Sequence, residues 1–219
     1  MYSPKKNLLY SWQSEPLKTW NNWDSVKRQS QKTDIVEQEN REQKIAVFNN
    51  LNRGRVAIFI DGGSLFYAAL QLDIEINYTK LLRCLTADSR LLRSFFYTGF
   101  DSHNEKQKSF LLWMRHHGYR VIAKELLEFT DGSKKADLDV EITVDMMRLI
   151  GCYDTAVLVS GDGDLAYAVN AVSYRGVRVE IVSLRSMTSD SLINVADTYI
   201  DLQEIKDHIQ KTPCSAICS

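Results

Sequence analysis

Residues 55–64 read Arg55-Val56-Ala57-Ile58-Phe59-Ile60-Asp61-Gly62-Gly63-Ser64, and they indicate the fold more clearly than any other stretch of the chain. The unbroken apolar run is typical of a strand buried on both faces of a parallel sheet. A second run, Thr155-Ala156-Val157-Leu158-Val159, leads into Ser160-Gly161-Asp162-Gly163-Asp164. Both runs end in aspartate and glycine, which predicts that each carboxylate lies where a strand gives way to a helix.

Strands and helices are predicted to alternate from Arg55 onward. Apolar runs predict five strands, near 55–60, 92–98, 119–127, 154–160 and 177–183. Helical patterns predict five helices between them, near 64–72, 78–86, 104–117, 138–150 and 164–175, then a short helix near 192–196 and an edge strand at 199–202. This alternation implies βαβ units with right-handed crossovers, and therefore an α/β protein with a mostly parallel central sheet.

The 219 residues are predicted to form one domain, residues 51–205, between two extensions. In residues 1–50, the first 30 show no clear periodicity and are predicted to have little independent structure. A capping box at Asp34 and Glu37 then predicts a helix near 34–50. This extension either packs on the domain as a helix or anchors a protein partner through its tryptophans. Residues 206–219 are predicted to be a C-terminal tail.

The composition limits the class of protein. The 27 basic and 28 acidic residues argue against a dedicated high-affinity nucleic-acid binder, which shows a basic footprint. The balance is compatible with a metal-dependent enzyme, because the metal supplies the positive charge that meets phosphate. No apolar run approaches the roughly 18 residues of a membrane helix. No secretory signal is recognisable and no CxxC motif occurs, so we expect a cytoplasmic protein with no membrane partner.

A third acidic segment lies between the two aspartate turns. If it is helical, Asp137, Glu141 and Asp145 share one face at i, i+4 and i+8. Such a row of like charges destabilises a helix, and a divalent metal would turn that repulsion into coordination. Asp137 suits the first turn of the helix. Asp139 and Glu141 are interpreted as solvated surface.

Four motifs in this order resemble the NYN domain and, more narrowly, the LabA-like branch of the PIN-like nuclease superfamily. They are Ile60-Asp61-Gly62-Gly63-Ser64-Leu65-Phe66, Lys135-Ala136-Asp137 through Val144-Asp145-Met146, Ser160-Gly161-Asp162-Gly163-Asp164-Leu165 and Arg175-Gly176-Val177-Arg178-Val179. The resemblance covers residues 55–205, with 192–202 resembling the closing segment of that branch. It implies a three-layer α/β/α sandwich of PIN-like fold, a cleft holding Mg²⁺ or Mn²⁺, and endoribonuclease-type cleavage of single-stranded RNA in gene regulation.

The resemblance also implies roles for particular residues. The catalytic acids and metal ligands are Asp61, Asp137, Asp162 and Asp164, and Asp145 is a further metal ligand. The residues that contact the substrate are Ser64, Lys135 and Ser160. The family's first motif usually has Asn where this chain has Ser64, whose single short hydroxyl offers fewer hydrogen bonds.

Two other functions fit parts of the pattern. The first is a non-catalytic RNA- or protein-binding regulatory module on the same fold, for example in circadian output, which the serine at position 64 favours. The second is a haloacid-dehalogenase-type phosphatase, which normally needs a second aspartate where this chain has Gly63.

An exposed edge strand and the N-terminal helix offer surfaces for a homodimer. Tyr67 is interpreted as a core residue, with stacking on a base as the alternative.

Overall fold

The computed structural model describes residues 52–128 and 134–212. The predicted extension 1–50, with its helix near 34–50, lies outside the described residues, as does the end of the predicted tail from residue 213 onward. Of the helices in the described ranges, none has the length and apolar character needed to cross a bilayer.

The described strands are β1 (Arg55–Asp61), β2 (Arg90–Phe100), β3 (Tyr119–Glu125), β4 (Leu127–Glu128), β5 (Lys134–Lys135), β6 (Thr155–Val159), β7 (Arg178–Ser183) and β8 (Thr198–Asp201). The described α-helices are α1 (Gly62–Leu72), α2 (Tyr78–Thr86), α3 (Glu105–His116), α4 (Asp139–Arg148), α5 (Ala166–Ser173), α6 (Asp190–Ile193) and α7 (Leu202–Ile209). Short 3₁₀ turns at Gly163–Leu165 and Arg185–Met187 complete the order.

Six strands form one sheet in the order β3-β2-β1-β6-β7-β8, and every neighbouring pair is parallel. The predicted α/β fold with a parallel central sheet is confirmed, and the predicted edge strand is β8. From β1 the chain moves outward to β2 and β3, and from β6 it moves outward in the other direction. The strand order therefore switches between β1 and β6, which is where open α/β sheets form their ligand crevice.

Helices cover both faces of this sheet, as the predicted three-layer sandwich requires. In β1, Ile58 and Ile60 point into one cluster, which α1, α2, α3 and α7 cover. Phe59 points into the other cluster, which α4, α5 and α6 cover. All three side chains are fully buried, which explains why β1 is apolar at consecutive positions. Burying each of them stabilises the fold by about 1.5–3 kcal/mol.

A buried ion pair lies at the end of the sheet opposite to the aspartate turns. The Arg53 guanidinium, just before β1, donates two hydrogen bonds to Glu180 of β7, at 3.2 and 2.8 Å. It also donates to the Leu85 carbonyl oxygen at 3.0 Å, so the chain before β1 is tied to both β7 and α2. Both side chains are almost fully buried. Removing either partner would therefore leave the other charge buried without compensation.

The main difference from the predicted elements is α7. Its buried residues Leu202, Ile205 and Ile209 follow the helical spacing i, i+3 and i+7. This helix was not predicted, and it crosses the boundary that we set between the domain and its tail at 205. The Asp201 side chain accepts a hydrogen bond from the amide of Gln203 at 2.9 Å, which caps the start of α7.

Candidate metal centre

The first aspartate turn is built from the end of β1. Asp61 is the N-cap of α1, and its Oδ1 accepts hydrogen bonds from the amides of Gly63 (2.9 Å) and Ser64 (3.2 Å). Ser64 Oγ donates to Asp61 Oδ2 at 2.5 Å. A Cβ on Gly62 would lie 2.8 Å from the Tyr97 carbonyl oxygen, so only glycine fits there. The half-buried Asp61 carboxylate is thereby held in one orientation at the sheet edge.

The second turn follows β6, the neighbour of β1. Asp162 Oδ1 accepts a hydrogen bond from the Asp164 amide at 2.9 Å, and both carboxylates are exposed. A Cβ on Gly161 would clash with the Met187 carbonyl oxygen, so the 3₁₀ turn at Arg185–Met187 can approach this backbone only because residue 161 is glycine.

Ser160 joins the two turns. Its Oγ donates to Asp61 Oδ2 at 3.2 Å and accepts a hydrogen bond from the Asp162 amide at 3.2 Å. It also lies 3.3 Å from Ser64 Oγ. Ser160 is fully buried and supports the two aspartates, and its predicted contact with phosphate stays a prediction. The Ser64 hydroxyl is likewise engaged with Asp61.

Three carboxylates, two of them from the second turn, lie close to one another. Asp139, Asp162 and Asp164 each offer one carboxylate oxygen, and these atoms all lie within 4.8 Å of one another. We call these three residues the acidic centre. Carboxylate oxygens are the ligands that Mg²⁺ and Mn²⁺ prefer in proteins. The acidic centre therefore has the donor set that a divalent metal needs.

The charge of the acidic centre is visible in the pKa of Asp139, which is raised from 3.8 to about 6. Burial contributes most, and the Asp162 carboxylate is the next cause. The charges of Asp137, Asp61 and Asp164 act in the same direction. The five carboxylates thus share one negative field, which a bound cation would relieve.

Asp139 is the residue that the sequence interpretation missed. We interpreted it as solvated surface, yet it is half-buried in the first turn of α4. Asp137 was predicted in its place, but Asp137 precedes the helix, so the spacing i, i+4, i+8 does not apply to it. Its exposed carboxylate accepts a hydrogen bond from the Asp139 amide at 3.0 Å and does not belong to the acidic centre. The first-turn position, which favours carboxylates, applied equally to Asp139.

The two acids further along α4 have other partners. Asp145 Oδ2 accepts a hydrogen bond from the Tyr97 hydroxyl at 3.0 Å, and burial followed by this carboxylate raises the pKa of Tyr97. Glu141 forms an ion pair with Lys124 at 3.0 Å. Asp139 and Asp145 are separated by about 120° around the helix. The geometry gives no support to Asp145 as a metal ligand.

The remaining predicted residues have separate outcomes. Lys135 lies in β5, and its predicted contact with phosphate stays a prediction. Tyr67 was interpreted as a core residue, and this was wrong, because 61% of its surface is exposed. Tyr167, which follows the second turn, is 85% exposed.

Comparisons with known proteins agree with this architecture. Residues 55–203 match the model of the NYN domain family. The chain is 34% identical to the "Low amplitude and bright protein LabA" of Synechococcus elongatus over 166 residues, which is 72% of this chain and 89% of that protein.

A solved structure with the same fold is that of a protein of unknown function from Vibrio parahaemolyticus. The TM-score is 0.63 at 27% identity, and the match covers 73% of this chain and 97% of that one. The resemblance inferred from the four motifs is confirmed: this chain belongs to the NYN domain family, as a LabA-like member of the PIN-like nucleases.

Proposed function

We propose that this protein is a divalent-metal-dependent endoribonuclease that hydrolyses phosphodiester bonds in single-stranded RNA. The observation that supports this most is the acidic centre, in which three carboxylate oxygens lie within 4.8 Å of one another at the switch point of the sheet. Membership of the NYN family supports the same reaction class. RNA is the proposed partner, the cytoplasm is the proposed location, and gene regulation is the proposed role.

The residues of the site divide into two groups. Asp139, Asp162 and Asp164 would hold Mg²⁺ or Mn²⁺, which, when bound, supplies a Lewis acid for a phosphate oxygen and lowers the pKa of water. Asp61 forms the second group and acts on Asp139 through its charge. Its Oδ2 accepts hydrogen bonds from the hydroxyls of Ser64 and Ser160. Because this carboxylate also accepts hydrogen bonds from the amides of Gly63 and Ser64, its acceptor positions are filled, and its part in the proposal is the negative charge that it adds to the site.

Electrostatics make the metal necessary in this proposal. The chain has a formal net charge of −1, and the acidic centre by itself repels phosphate. Burial is the first cause of the raised pKa of Asp139, and the neighbouring carboxylates raise it further. A divalent cation reverses the local sign of the charge, so RNA cleavage is expected to stop completely in EDTA.

The test uses an end-labelled single-stranded RNA of mixed sequence, incubated with Mg²⁺, Mn²⁺ or EDTA and resolved on a gel. The wild-type protein is expected to cut internally with one or both metals, and Asp162→Asn is expected not to cut. Asp207→Asn is the matched control, because Asp207 is exposed on α7, outside the acidic centre. Circular dichroism checks that both variants fold. RNA left intact by the wild-type protein, or cut equally by Asp162→Asn, contradicts the proposal.

Ser64 favours a second candidate, a non-catalytic RNA- or protein-binding regulatory module, for example in circadian output. Its hydroxyl is committed to Asp61 at 2.5 Å, so it is less able than the longer asparagine amide to position water or substrate. Intact RNA under every metal condition, together with RNA binding that Asp162→Asn does not change, supports this candidate. A protein partner at the N-terminal extension and a homodimer remain predictions.

A further inference from the structure

We propose that the groove between α3 and the edge strand β3 binds an acidic, extended segment of a partner protein, which adds to β3 as a further strand. This inference goes beyond the proposed nuclease and does not depend on it. The groove has a volume of about 890 Å³ and is open to solvent. It lies two strands away from β1 in the sheet, so it is a different surface from the acidic centre.

The backbone of β3 forms one wall of the groove. Five consecutive residues, 119–123, line it. Since successive side chains of a strand point to opposite faces of the sheet, five consecutive lining residues indicate that the groove runs along the edge of the strand. In the part of the chain that the structure describes, β3 pairs only with β2. Alternate N–H and C=O groups of β3 therefore face the groove without a strand partner.

Basic side chains lie on both sides of this edge. Arg93 and Arg120 lie on the same face of the sheet as Phe95, because Arg93 is two residues before Phe95 in β2 and Arg120 is paired with Phe95 across the two strands. On the other face, Lys108 and Arg115 line the groove from α3, seven residues and therefore about two turns apart. The edge of β3 thus lies between two pairs of cations.

These cations can pair with the charges of a partner. Arg93, Arg115 and Arg120 are exposed and form no ion pair within the described residues. Lys108 pairs with Glu105 at 2.8 Å, but both side chains are exposed, so a carboxylate of the partner can replace Glu105 at small cost. None of the described residues that line the groove is acidic. The field along the groove is therefore positive, although the whole chain has a formal net charge of −1.

An extended acidic peptide matches this groove better than a nucleic acid does. The edge of β3 offers both N–H donors and C=O acceptors, and the main chain of an added strand pairs with both. Phosphate groups accept hydrogen bonds and donate none, so they would leave the carbonyl groups of the edge without partners. Because the side chains of an added strand alternate between the two faces, acidic residues at successive positions would reach the cations on both faces.

The charges also decide which strands can be added. Charged residues at an edge keep a protein from pairing with copies of itself. A second β3 in this groove would bring Arg120 close to the cations of the other copy, and like charges oppose that pairing. The same cations favour an acidic strand over a neutral or a basic one. The opposite edge of the sheet lacks this character, because β8 has only four residues and ends in Asp201.

The test measures the binding of a fluorescein-labelled peptide to the full-length protein by fluorescence anisotropy in EDTA. The peptide has about eight residues, the length of a typical strand, and pairs of glutamates alternate in it with pairs of valines. One control peptide has lysines in place of the glutamates, and another has prolines in place of the valines, which prevents strand pairing. A mixed-sequence single-stranded RNA of about 12 nucleotides is the nucleic-acid probe.

Two variants each reverse one charge of the groove. They are Arg120→Glu on one side of the β3 edge and Arg115→Glu on the other. Arg175→Glu is the matched control, because Arg175 is an exposed arginine after α5 that does not line the groove. Circular dichroism checks that all three variants fold.

The wild-type protein is expected to bind the glutamate peptide, and Arg115→Glu and Arg120→Glu are each expected to bind it about tenfold more weakly. Arg175→Glu should keep the wild-type affinity, and the lysine and proline peptides should not bind. Hydrogen exchange at the amides of β3 should become slower when the glutamate peptide binds, because the added strand covers that edge.

Several results would overturn the proposal. The first is that the glutamate peptide does not bind, or binds equally to the wild-type protein and to both groove variants. Equal binding of the proline peptide, or unchanged hydrogen exchange in β3, would mean ionic contact without an added strand. RNA binding that both groove variants weaken, with no peptide binding, would make the groove a nucleic-acid site instead. None of these results depends on RNA cleavage, so the nuclease is judged separately.

Discussion

Replacing Asp139 with asparagine removes one negative charge from the acidic centre and keeps the shape of the side chain. In the metal-free protein, we expect Asp139→Asn to increase the free energy of unfolding at pH 7. The reason is that the Asp139 carboxylate has a pKa raised to about 6, first by burial and then by the Asp162 carboxylate. The charged form is therefore less favourable in the folded protein than in the unfolded chain.

The magnitude follows from that pKa. The rise from 3.8 to about 6 corresponds to about 3 kcal/mol against the charged form, at about 1.4 kcal/mol per pKa unit. Because Asp139 is only half-buried, solvent screening reduces this to about 1–2 kcal/mol. The variant also loses the favourable interaction of a carboxylate with the first turn of α4, worth about 0.5 kcal/mol. The expected net gain at pH 7 is therefore about 1 kcal/mol.

The pH dependence of the stability difference between Asp139→Asn and the wild-type protein distinguishes this electrostatic cause from causes that do not depend on pH. An acid whose pKa is higher in the folded state contributes stability that is complete below its unfolded pKa of 3.8 and is lost as the pH rises through about 6. The advantage of Asp139→Asn over the wild-type protein should therefore be smallest near pH 4 and should grow to its full value above pH 6.

The assay is urea unfolding in EDTA at several pH values, followed by circular dichroism and repeated with Mg²⁺. Mg²⁺ at a hundred times its dissociation constant would stabilise the wild-type protein by about 2.7 kcal/mol, and the variant should gain less. Asp207→Asn serves as the control. A metal-free variant that is less stable than the wild-type protein at pH 7, or an advantage that does not change with pH, would refute this reasoning.

Two further substitutions test the support of the site and of the fold. Ser160→Ala removes the buried hydroxyl that joins the two aspartate turns and leaves a turn amide without its acceptor. Urea unfolding should show a loss of about 1–3 kcal/mol, and an unchanged stability would contradict the linking role. Glu180→Gln leaves the Arg53 guanidinium buried opposite a neutral group. The same measurement should show a loss of about 3–5 kcal/mol, whereas a loss below 1 kcal/mol would mean that the pair is unimportant for stability.

The central sheet was predictable because its strands are buried on both faces. In β1 and β6 this burial leaves an unbroken apolar run, which Gly and Asp then terminate. The last helix, α7, escaped prediction because its three buried residues follow an edge strand directly, with only Asp201 as the cap. Tyr67 is exposed because it lies on the side of α1 opposite Leu65, Ala68 and Ala69, and the unbroken apolar run 65–70 does not show which of its members face the sheet.

The acids that end strands were predictable, and the acid on the helix was not. Asp61 is the last residue of β1 and Asp162 comes three residues after the end of β6, so the parallel pairing of these strands brings both to one edge whatever the details of the helices. The choice between Asp137 and Asp139 depends on where α4 begins, and the ends of a helix are the part that a sequence pattern locates least well. The burial of Ser160 depends on residues that are distant in sequence, such as Asp61 and Ser64. The residue pattern around position 160 does not reveal these contacts.

The most direct test of the central claim compares RNA cleavage by Asp139→Asn and Asp137→Asn, in Mg²⁺ or Mn²⁺, on the same end-labelled single strand. Asp139 belongs to the acidic centre, whereas the Asp137 carboxylate accepts the Asp139 amide proton, a role that asparagine can fill. The account predicts that Asp139→Asn abolishes cleavage and that Asp137→Asn keeps most of it. Full activity in Asp139→Asn, or loss of activity in Asp137→Asn alone, would contradict it.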